Sequence, residues 1–309
     1  MKILITGATG FVGRHLVVEL FEGGFDDVSV LVRGTSDLSL LSEYPVTFVY
    51  GDVTDMQSLQ QIREEFDVIF HCAGCVQNCD KVSLWAVNVD GTGNICEFAL
   101  AKKAQKLIYV SSVAVVSGNS DVPLREDMPY AATNLYGQSK LDGEKKAVEY
   151  MHKGLPMVIV RPPMIYGEDE PHMLGFITKL IKYGLFILPV KGESKLHISY
   201  VRNVSDFLVE CMINEKALGN TYFIADKDVL TAAQVFGFLA RGMGKREPRL
   251  AGKIFTQLMF KIPGIGRRLR FFAKDRVYSI EKAERELGYV PVYGAEESLI
   301  KTGCFYQSC

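Results

Sequence analysis

The sequence predicts an α/β fold, a doubly wound parallel sheet with helices on both faces, followed by a smaller C-terminal lobe. Two observations support this prediction. Short apolar runs alternate with amphipathic helical stretches six times before residue 163, and such alternation is typical of parallel strands joined by helical crossovers. In addition, a glycine-rich turn joins the first apolar run to the first helical stretch. The chain is therefore expected to begin with a βαβ unit.

Each apolar run has the length of a buried strand, because parallel strands covered on both faces are apolar almost throughout. The predicted strands are Ile3–Thr6, Val28–Val32, Thr47–Tyr50, Val68–His71, Lys106–Ser111 and Met157–Arg161. The helical patterns between them are Gly13–Glu22, Asp55–Glu65, Leu84–Lys103 and Tyr136–His152. We expect the sheet domain to span residues 1–163.

The regular alternation fades in the second half of the chain. Here the pattern predicts loop and helix over Met164–Val190, a strand at His197–Val201 and a helix over Asn203–Ile213. A further strand follows at Thr221–Ala225, and a late short helix, Ile280–Leu287, is closed by Gly288. We expect residues 198–225 to return to the sheet and residues 164–309 to form a smaller substrate-binding lobe. No repeat or low-complexity linker separates the halves, which predicts a tight interface.

Composition excludes several functional classes. The 309 residues are 48% apolar and 23% charged, with a formal net charge of −1, so nothing in the overall charge draws the chain to nucleic acid. The N-terminus lacks a signal-peptide layout, and no run of about eighteen apolar residues predicts a spanning helix. We therefore expect a cytoplasmic protein without a transmembrane segment.

The seven cysteines form an odd number scattered along the chain, which favours reduced thiols over a disulfide framework. Cys72, Cys75 and Cys79 are close enough in sequence to suggest a metal site. A structural zinc site usually needs four ligands, however, and no second Cys/His pair follows at suitable spacing. We expect ordinary buried or loop cysteines and no metal.

The turn Thr6-Gly7-Ala8-Thr9-Gly10-Phe11-Val12-Gly13 carries the clearest functional signal. Gly7 permits a tight turn, Gly10 lets the backbone approach a pyrophosphate, and Gly13 lets the helix pack close to the sheet. The helix N-terminus then offers free N–H groups to the phosphates. This strand–turn–helix context predicts a dinucleotide-binding Rossmann domain, with cofactor contacts from Gly7, Thr9, Gly10, Phe11, Val12 and Gly13.

The end of the second strand indicates which dinucleotide binds. An NAD site usually has Asp or Glu about twenty residues past the glycines, whereas this chain has Arg33 there. A guanidinium can bind a 2′-phosphate through paired charge-assisted hydrogen bonds, and Thr35 and Ser36 add hydroxyl donors. The alternative is a solvated arginine after a strand. We expect NADP(H), with NAD as the second possibility.

The segment Tyr136-Gly137-Gln138-Ser139-Lys140 is the candidate catalytic group. On a helix, Tyr136 and Lys140 share a face, and a nearby ammonium should lower the pKa of the phenol toward working pH. Ser111 and Ser112 end the strand at the edge where open α/β sheets bind ligands, and either hydroxyl could hold the same substrate oxygen. We favour Ser112 as the catalytic serine and Ser111 as a cofactor contact.

These motifs together resemble the extended short-chain dehydrogenase/reductase family, also called the NAD-dependent epimerase/dehydratase family. The resemblance covers nearly the whole chain. Besides the glycine turn and the Tyr/Lys pair, it rests on Gly51-Asp52-Val53, His71-Cys72-Ala73-Gly74, Asn88-Val89-Asp90-Gly91-Thr92, Ser111-Ser112 and Arg161-Pro162-Pro163-Met164-Ile165-Tyr166-Gly167. The segments Tyr200–Val204 and Ser279–Tyr289 look like the hydroxysteroid-dehydrogenase-like branch, which borders on dihydroflavonol-reductase-like enzymes.

The resemblance implies a Ser112–Tyr136–Lys140 triad in which Tyr136 is the acid/base and Lys140 also holds the nicotinamide ribose. It further implies that Asp52 and Val53 flank adenine, that Ala73 and Gly74 line the cofactor channel, and that Pro163 and Ile165 lie beside the nicotinamide. Many nucleotide-sugar enzymes of the family carry an arginine where this chain has Lys195-Leu196-His197, and we interpret His197 as a lobe-interface residue. In this family, helices equivalent to 84–103 and 136–152 pair across a two-fold axis, which implies a homodimer.

A basic segment, residues 245–276, carries ten Lys/Arg against Glu247 and Asp275, interleaved with apolar residues. It is interpreted as a solvated basic face, with a lid over the substrate or an amphipathic surface resting on a membrane as alternatives. No recognised reader motif accompanies the charge, so nucleic-acid binding is not expected.

For the function, three hypotheses remain. The first is a reductase or dehydrogenase that transfers hydride between dissociable NADP(H) and a carbonyl or secondary alcohol, such as a sterol-like ketone. The second is a nucleotide-sugar epimerase or dehydratase that keeps its NAD. The third is a cofactor-binding regulator or assembly subunit without catalysis.

Overall fold

The first half of the chain alternates strand and helix, in a computed structural model that describes residues 1–76, 79–262, 266, 269–270 and 272–308. Its elements are β1 (Ile3–Thr6), α1 (Phe11–Glu22), β2 (Val28–Val32), β3 (Thr47–Tyr50), α2 (Met56–Gln60), β4 (Val68–His71), α3 (Lys81–Trp85), α4 (Gly91–Ala101), β5 (Lys106–Val110), α5 (Leu135–His152) and β6 (Met157–Arg161). A π-helical turn, Ala86–Asp90, joins α3 to α4, and short 3₁₀ turns occupy Ser39–Leu41 and Val113–Val116.

The second half consists of short strands and longer helices. They are β7 (Ile165–Tyr166), α6 (Leu174–Lys182), β8 (Ile187–Leu188), β9 (Lys195–Leu196), β10 (Ser199–Tyr200), α7 (Val201–Ile213), β11 (Thr221–Phe223), β12 (Leu230–Thr231), α8 (Ala232–Gly242), β13 (Arg249–Leu250), α9 (Lys253–Phe260), α10 (Glu281–Leu287) and α11 (Ala295–Ser308). Further 3₁₀ turns occupy Val190–Gly192 and Glu215–Ala217. Gly288 ends α10 in the left-handed conformation, with φ of 69°, as the sequence predicts.

One sheet organises these elements, with the strand order β11-β6-β5-β4-β1-β2-β3. Neighbouring strands are parallel throughout, which confirms the predicted doubly wound parallel architecture. Strands β1 and β4 are neighbours at the point where the strand order changes direction, because β2 and β3 continue the sheet on one side and β5 and β6 on the other. Open α/β sheets bind ligands at this switch point. The candidate site is therefore expected above Thr6 and His71.

Apolar side chains cover both faces of the sheet. One core cluster joins β1, β2 and β6 to α1 and α7, and another joins β4 and β5 to α4 and α5. Residues of β1, such as Leu4 and Ile5, alternate between the two clusters and are fully buried. A third cluster, which includes α6, α8 and α11, forms a core of its own in the second half.

Three predicted elements differ in the structure. The helix predicted over 55–65 ends at Gln60, and the carbonyl of Ile62 in the following turn accepts a hydrogen bond from Lys102. The predicted strand His197–Val201 is reduced to β10, which pairs with β7 outside the main sheet. Of the segment 198–225, only β11 enters the main sheet. Asp226, just after this strand, accepts hydrogen bonds from Tyr200 and Asn203 and so holds the start of α7 beside it.

The basic segment 245–276 is described except for residues 263–265, 267–268 and 271, so Arg267 and Arg268 lie outside the described residues. Within the described part of the chain, every helix is too short or too polar to cross a bilayer.

Candidate active site

The glycine turn between β1 and α1 forms a close-packed cradle. Gly7 has φ of 70°, and a Cβ on it would lie 2.6 Å from the amide nitrogen of Ala73. A Cβ on Gly13 would lie 2.2 Å from the carbonyl oxygen of Gly7, so only glycine lets α1 start this close to the strand. Gly10 caps α1 without a side-chain hydrogen bond. The first N–H groups of α1, those of Phe11, Val12 and Gly13, are thus presented at the sheet edge, as an anionic group requires.

The switch point is fixed by hydrogen bonds between the ends of β1 and β4. The hydroxyl of Thr6 lies 2.8 Å from Nδ1 of His71 and accepts from the amide of Ala73 at 3.2 Å. Nε2 of His71 lies 3.2 Å from the hydroxyl of Thr92 on α4. Burial lowers the pKa of His71 to about 3, so the ring is neutral and holds the strand ends together. Ala73 and Gly74 are thereby placed directly beside the glycine turn.

The predicted adenine-side residues follow β2 and β3. Arg33 is exposed after β2, and its backbone N–H donates to the hydroxyl of Ser36 at 3.0 Å. Asp52 follows β3 and accepts from both the backbone and the hydroxyl of Thr54 at 2.9 Å. Val53 is buried, and its carbonyl accepts from Asn94 at 2.9 Å. Among the described residues, the guanidinium of Arg33 makes no ion pair, so it is free to meet an anion.

Tyr136 and Ser112 meet at the carboxyl edge of β5. The side chain of Asn134 accepts the N–H of Gly137 at 2.8 Å and caps α5, which places Tyr136 in the first helical turn. The side chain of Ser112 lies close enough to the phenol to act on its pKa. Ser111 instead donates to Glu144 at 2.6 Å. The structure therefore brings Ser112, rather than Ser111, to the phenol.

Lys140 lies one helical turn from Tyr136 on the same side of α5. Its Nζ donates to the carbonyl of Val110 at 2.8 Å and lies 4.7 Å from the centre of the Tyr109 ring. A Cβ on Gly74 would lie 4.0 Å from the same Nζ. The ammonium is thus buried between the catalytic helix and the channel residue after β4, and the glycine leaves it accessible from that channel.

The pKa of Tyr136 is shifted in the direction opposite to the one that the sequence predicts. Burial raises the pKa of Tyr136, and the side chain of Ser112 acts in the opposite direction. The prediction that Lys140 lowers the pKa of the phenol is wrong in this structure, because the ammonium is aimed at Val110. Burial also lowers the pKa of Lys140 to about 8, while the charge of Glu144 acts to raise it.

Glu144 is a functional candidate that the sequence reasoning missed. It is fully buried and accepts hydrogen bonds from Ser111, from Tyr130 at 2.9 Å and from the guanidinium of Arg161. Arg161 ends β6, so this carboxylate ties two strand ends to α5. The sequence could have indicated this residue, because Glu144 lies four residues after Lys140 and therefore on the same helix face.

Asn88 is a second missed residue, although it lies in a motif that carried the family resemblance. Its side-chain amide is fully buried, exchanges hydrogen bonds with both backbone groups of Cys75 and donates to Ser139 at 2.9 Å. Ser139 in turn donates to the carbonyl of Tyr136 at 2.8 Å. Asn88 thus links the loop after β4 to the catalytic helix.

The loop after β4 also corrects the expectation of reduced thiols throughout. Cys75 and Cys79 are joined in a disulfide, whereas Cys72, Cys96, Cys211 and Cys304 are free. A separation of four residues lets the loop close on itself, which a count of cysteines could not indicate.

Pro163 and Ile165 lie on the other side of Ser112. The N–H of Val113 donates to the carbonyl of Pro162 at 3.1 Å, so the 3₁₀ turn after Ser112 is held against the segment leading into β7. Pro163 is buried and Ile165 is partly buried. A small cleft next to Met164 is lined by His197 and Tyr278. Both ring nitrogens of His197 contact backbone, at Asp226 and Tyr278, so its ring serves the packing of this lobe.

The family is decided by comparison with known proteins. The profile of the NAD-dependent epimerase/dehydratase family matches residues 3–225. The chain belongs to this family. The predicted resemblance is thereby confirmed, and the matched residues run from β1 to just past β11.

Relatives of the chain include dehydrogenases and reductases. A 3-beta-hydroxysteroid dehydrogenase of Mycolicibacterium neoaurum is 27% identical over 99% of this chain and 91% of its own. A 2-alkyl-3-oxoalkanoate reductase of Stenotrophomonas maltophilia is 28% identical over 97% of both chains. The UDP-glucose 4-epimerase of Thermotoga maritima, solved with UDP-glucose, shares the fold with a TM-score of 0.82 at 21% identity, over 100% of this chain and 99% of its own. The prediction of a nicotinamide-dependent oxidoreductase of this family is confirmed at that level.

The charge of Glu144 should set the ionisation of Lys140. In Glu144→Gln, the pKa of Lys140 is expected to fall below its value of about 8, because the carboxylate that favours the ammonium is gone. The measurement is a pH titration of ¹⁵N-labelled lysine side chains by NMR, with the Lys140 signal assigned from Lys140→Met.

Tyr130→Phe is the matched control, since it removes one hydrogen bond to Glu144 but keeps the carboxylate. Its Lys140 midpoint should stay at the wild-type value. A midpoint in Glu144→Gln equal to that of the control would show that Glu144 has no electrostatic role at Lys140.

Proposed function

We propose that this enzyme transfers hydride between NADP(H) and a carbonyl or secondary alcohol, with Tyr136 as the acid/base. The observation that carries the proposal is the proximity of Ser112 to the Tyr136 phenol, beside a buried Lys140 that faces Gly74. A phenol, a hydroxyl and an ammonium at one sheet edge can hold a substrate oxygen and exchange a proton with it.

The cofactor would be held along the switch point. The cradle fits a dinucleotide, because Cβ atoms on Gly7 and Gly13 would fill it and the start of α1 offers N–H groups to a pyrophosphate. We propose that Thr9, Gly10, Phe11 and Val12 complete this contact, that Asp52 and Val53 flank adenine, and that Ala73, Gly74, Ser111, Pro163 and Ile165 line the nicotinamide end. When bound, the nicotinamide supplies or accepts the hydride.

The protein residues move the proton. In the direction of reduction, Tyr136 gives its proton to the substrate oxygen as hydride reaches the carbon, and Ser112 holds that oxygen by a hydrogen bond. Burial keeps the phenol protonated, which suits this direction. Lys140, whose ammonium faces Gly74, would hold the nicotinamide ribose. In the oxidation direction, the same phenolate removes the proton from the alcohol.

We propose NADP(H) over NAD because Arg33 stands free at the end of β2, where an NAD site usually has an acid. A carbonyl substrate would enter through the lobe formed by residues 164–309, next to Met164. Relatives named as a hydroxysteroid dehydrogenase and an oxoalkanoate reductase, aligned over nearly the whole chain, support an apolar ketone or alcohol.

An epimerase with tightly held NAD is the second candidate, supported by the shared fold of the UDP-glucose 4-epimerase. It would purify with stoichiometric NAD and would not turn over added cofactor with ketones. A non-catalytic regulator is disfavoured, since this chain keeps all three groups of the Ser112–Tyr136–Lys140 arrangement.

The assembly and location are also proposals. We propose a homodimer through the outer faces of α4 and α5, where the apolar residues Leu100, Val148 and Tyr150 are only partly buried. We propose a cytoplasmic location, as the sequence predicts.

Tyr136→Phe should lower kcat by about 10²–10⁴-fold, because the group that exchanges the proton is lost. The Kd for NADPH, measured by fluorescence titration, should stay within about twofold. Tyr183→Phe, which alters an exposed tyrosine, is the control and should keep full turnover. Unchanged kcat in Tyr136→Phe rejects Tyr136 as the acid/base.

Arg33→Ala should weaken NADPH binding by about tenfold or more while NADH binding changes little, because a charge-assisted contact with the 2′-phosphate contributes about 1.5–3 kcal/mol. Titration of both cofactors measures the difference. The exposed Arg63 gives the matched control, Arg63→Ala. If NADPH and NADH weaken equally, Arg33 does not recognise the 2′-phosphate.

A further inference from the structure

Helix α9 exposes three large apolar side chains to solvent. Thr256 is the one buried residue of this fully described helix, and its hydroxyl accepts the N–H of Val190 at 3.0 Å. By contrast, Ile254 is 81% exposed, Leu258 56% and Phe255 50%. The helix therefore packs on the protein through Thr256 and the partly buried Met259 and Phe260, while Ile254, Phe255 and Leu258 are exposed to solvent.

A second segment continues the exposed apolar surface. Tyr183 is 74% exposed and Leu185 is 64% exposed in the turn between α6 and β8. Strand β8 pairs with β13 next to α9, where Leu250 is 53% exposed. This pairing brings together two parts of the chain that are distant in sequence, and we call their exposed apolar residues the apolar face: Tyr183, Leu185, Leu250, Ile254, Phe255 and Leu258. Isolated exposed apolar residues are ordinary, but a contiguous set indicates an interaction site.

The two segments that carry the apolar face are basic, with Glu193 and Glu247 at their borders. Residues 174–192 and 248–262 contain no Asp or Glu, in a chain whose overall charge is −1. Their six cations are all exposed and, among the described residues, make no ion pair: Lys179, Lys182, Lys191, Arg249, Lys253 and Lys261. The positive charge of this surface is therefore available to an anionic partner.

We propose that the apolar face docks on an anionic lipid bilayer, with its large side chains in the headgroup region and the six cations on the lipid phosphates. Apolar side chains bordered by Lys/Arg are the composition of interfacial helices, and each such cation adds to the attraction. A second copy fits less well, because a two-fold contact would place the same six cations against themselves. The lid alternative is disfavoured by the outward direction of Ile254 and Leu258.

Flotation of the full-length protein with phosphatidylcholine vesicles, with and without 30% phosphatidylglycerol, tests this proposal. Binding is expected only to the anionic vesicles and should decrease when NaCl is raised from about 0.1 M to about 0.5 M, because salt screens exposed charges. The double variant Ile254→Glu, Leu258→Glu should bind at least about tenfold more weakly. Both positions are exposed, so its Tm should match the wild type.

The matched control is Val290→Glu, Val292→Glu, which places two acids at valines that are each 65% exposed but lie outside the apolar face. It should bind as the wild type does. Equal losses in the two double variants, or no binding to anionic vesicles, overturns the proposal. A wild type that self-associates without binding vesicles, and that becomes monomeric in the Ile254/Leu258 variant, also overturns it and assigns the face to a second copy.

Discussion

The buried carboxylate of Glu144 is the interaction on which the site depends. It accepts from Ser111 at the end of β5 and from Arg161 at the end of β6, while its own helix carries Tyr136 and Lys140. An unpaired buried charge would cost about 3–5 kcal/mol, so helix and sheet edge are held in one arrangement. Ser112, the residue after Ser111, is thereby kept beside the phenol. The proposed acid/base chemistry rests on an ion pair that touches no reacting atom.

Burial has opposite consequences for the two ionisable groups above this ion pair. It raises the pKa of Tyr136 and lowers the pKa of Lys140 to about 8, because both charged forms lose hydration. The phenol is therefore a proton donor at neutral pH, and the ammonium is held close to its titration point. Glu144 acts to keep the ammonium charged. The burial that holds the ion pair in one arrangement therefore also sets the pKa values of Tyr136 and Lys140.

The strands of the first half could be predicted almost residue by residue, because buried parallel strands leave continuous apolar runs and the glycine turn has a steric cause. Helix ends and the later strands could not, since β7 and β10 are only two residues long and are set by tertiary hydrogen bonds such as those of Asp226. Tyr136, Lys140 and Ser112 were predicted together. Glu144 and Asn88 were missed because their roles depend on partners distant in sequence, and the Cys75–Cys79 pair because loop closure is a three-dimensional property.

A crystal structure with NADPH and a bound ketone tests the central claim most directly. The account predicts the pyrophosphate at the start of α1 and the nicotinamide ring between Gly74 and Pro163. The ketone oxygen should lie within hydrogen-bond distance of Tyr136 and Ser112, and its carbon about 3–3.5 Å from the ring. A nicotinamide ring bound away from Tyr136, or a ketone oxygen held by other groups, would contradict the account.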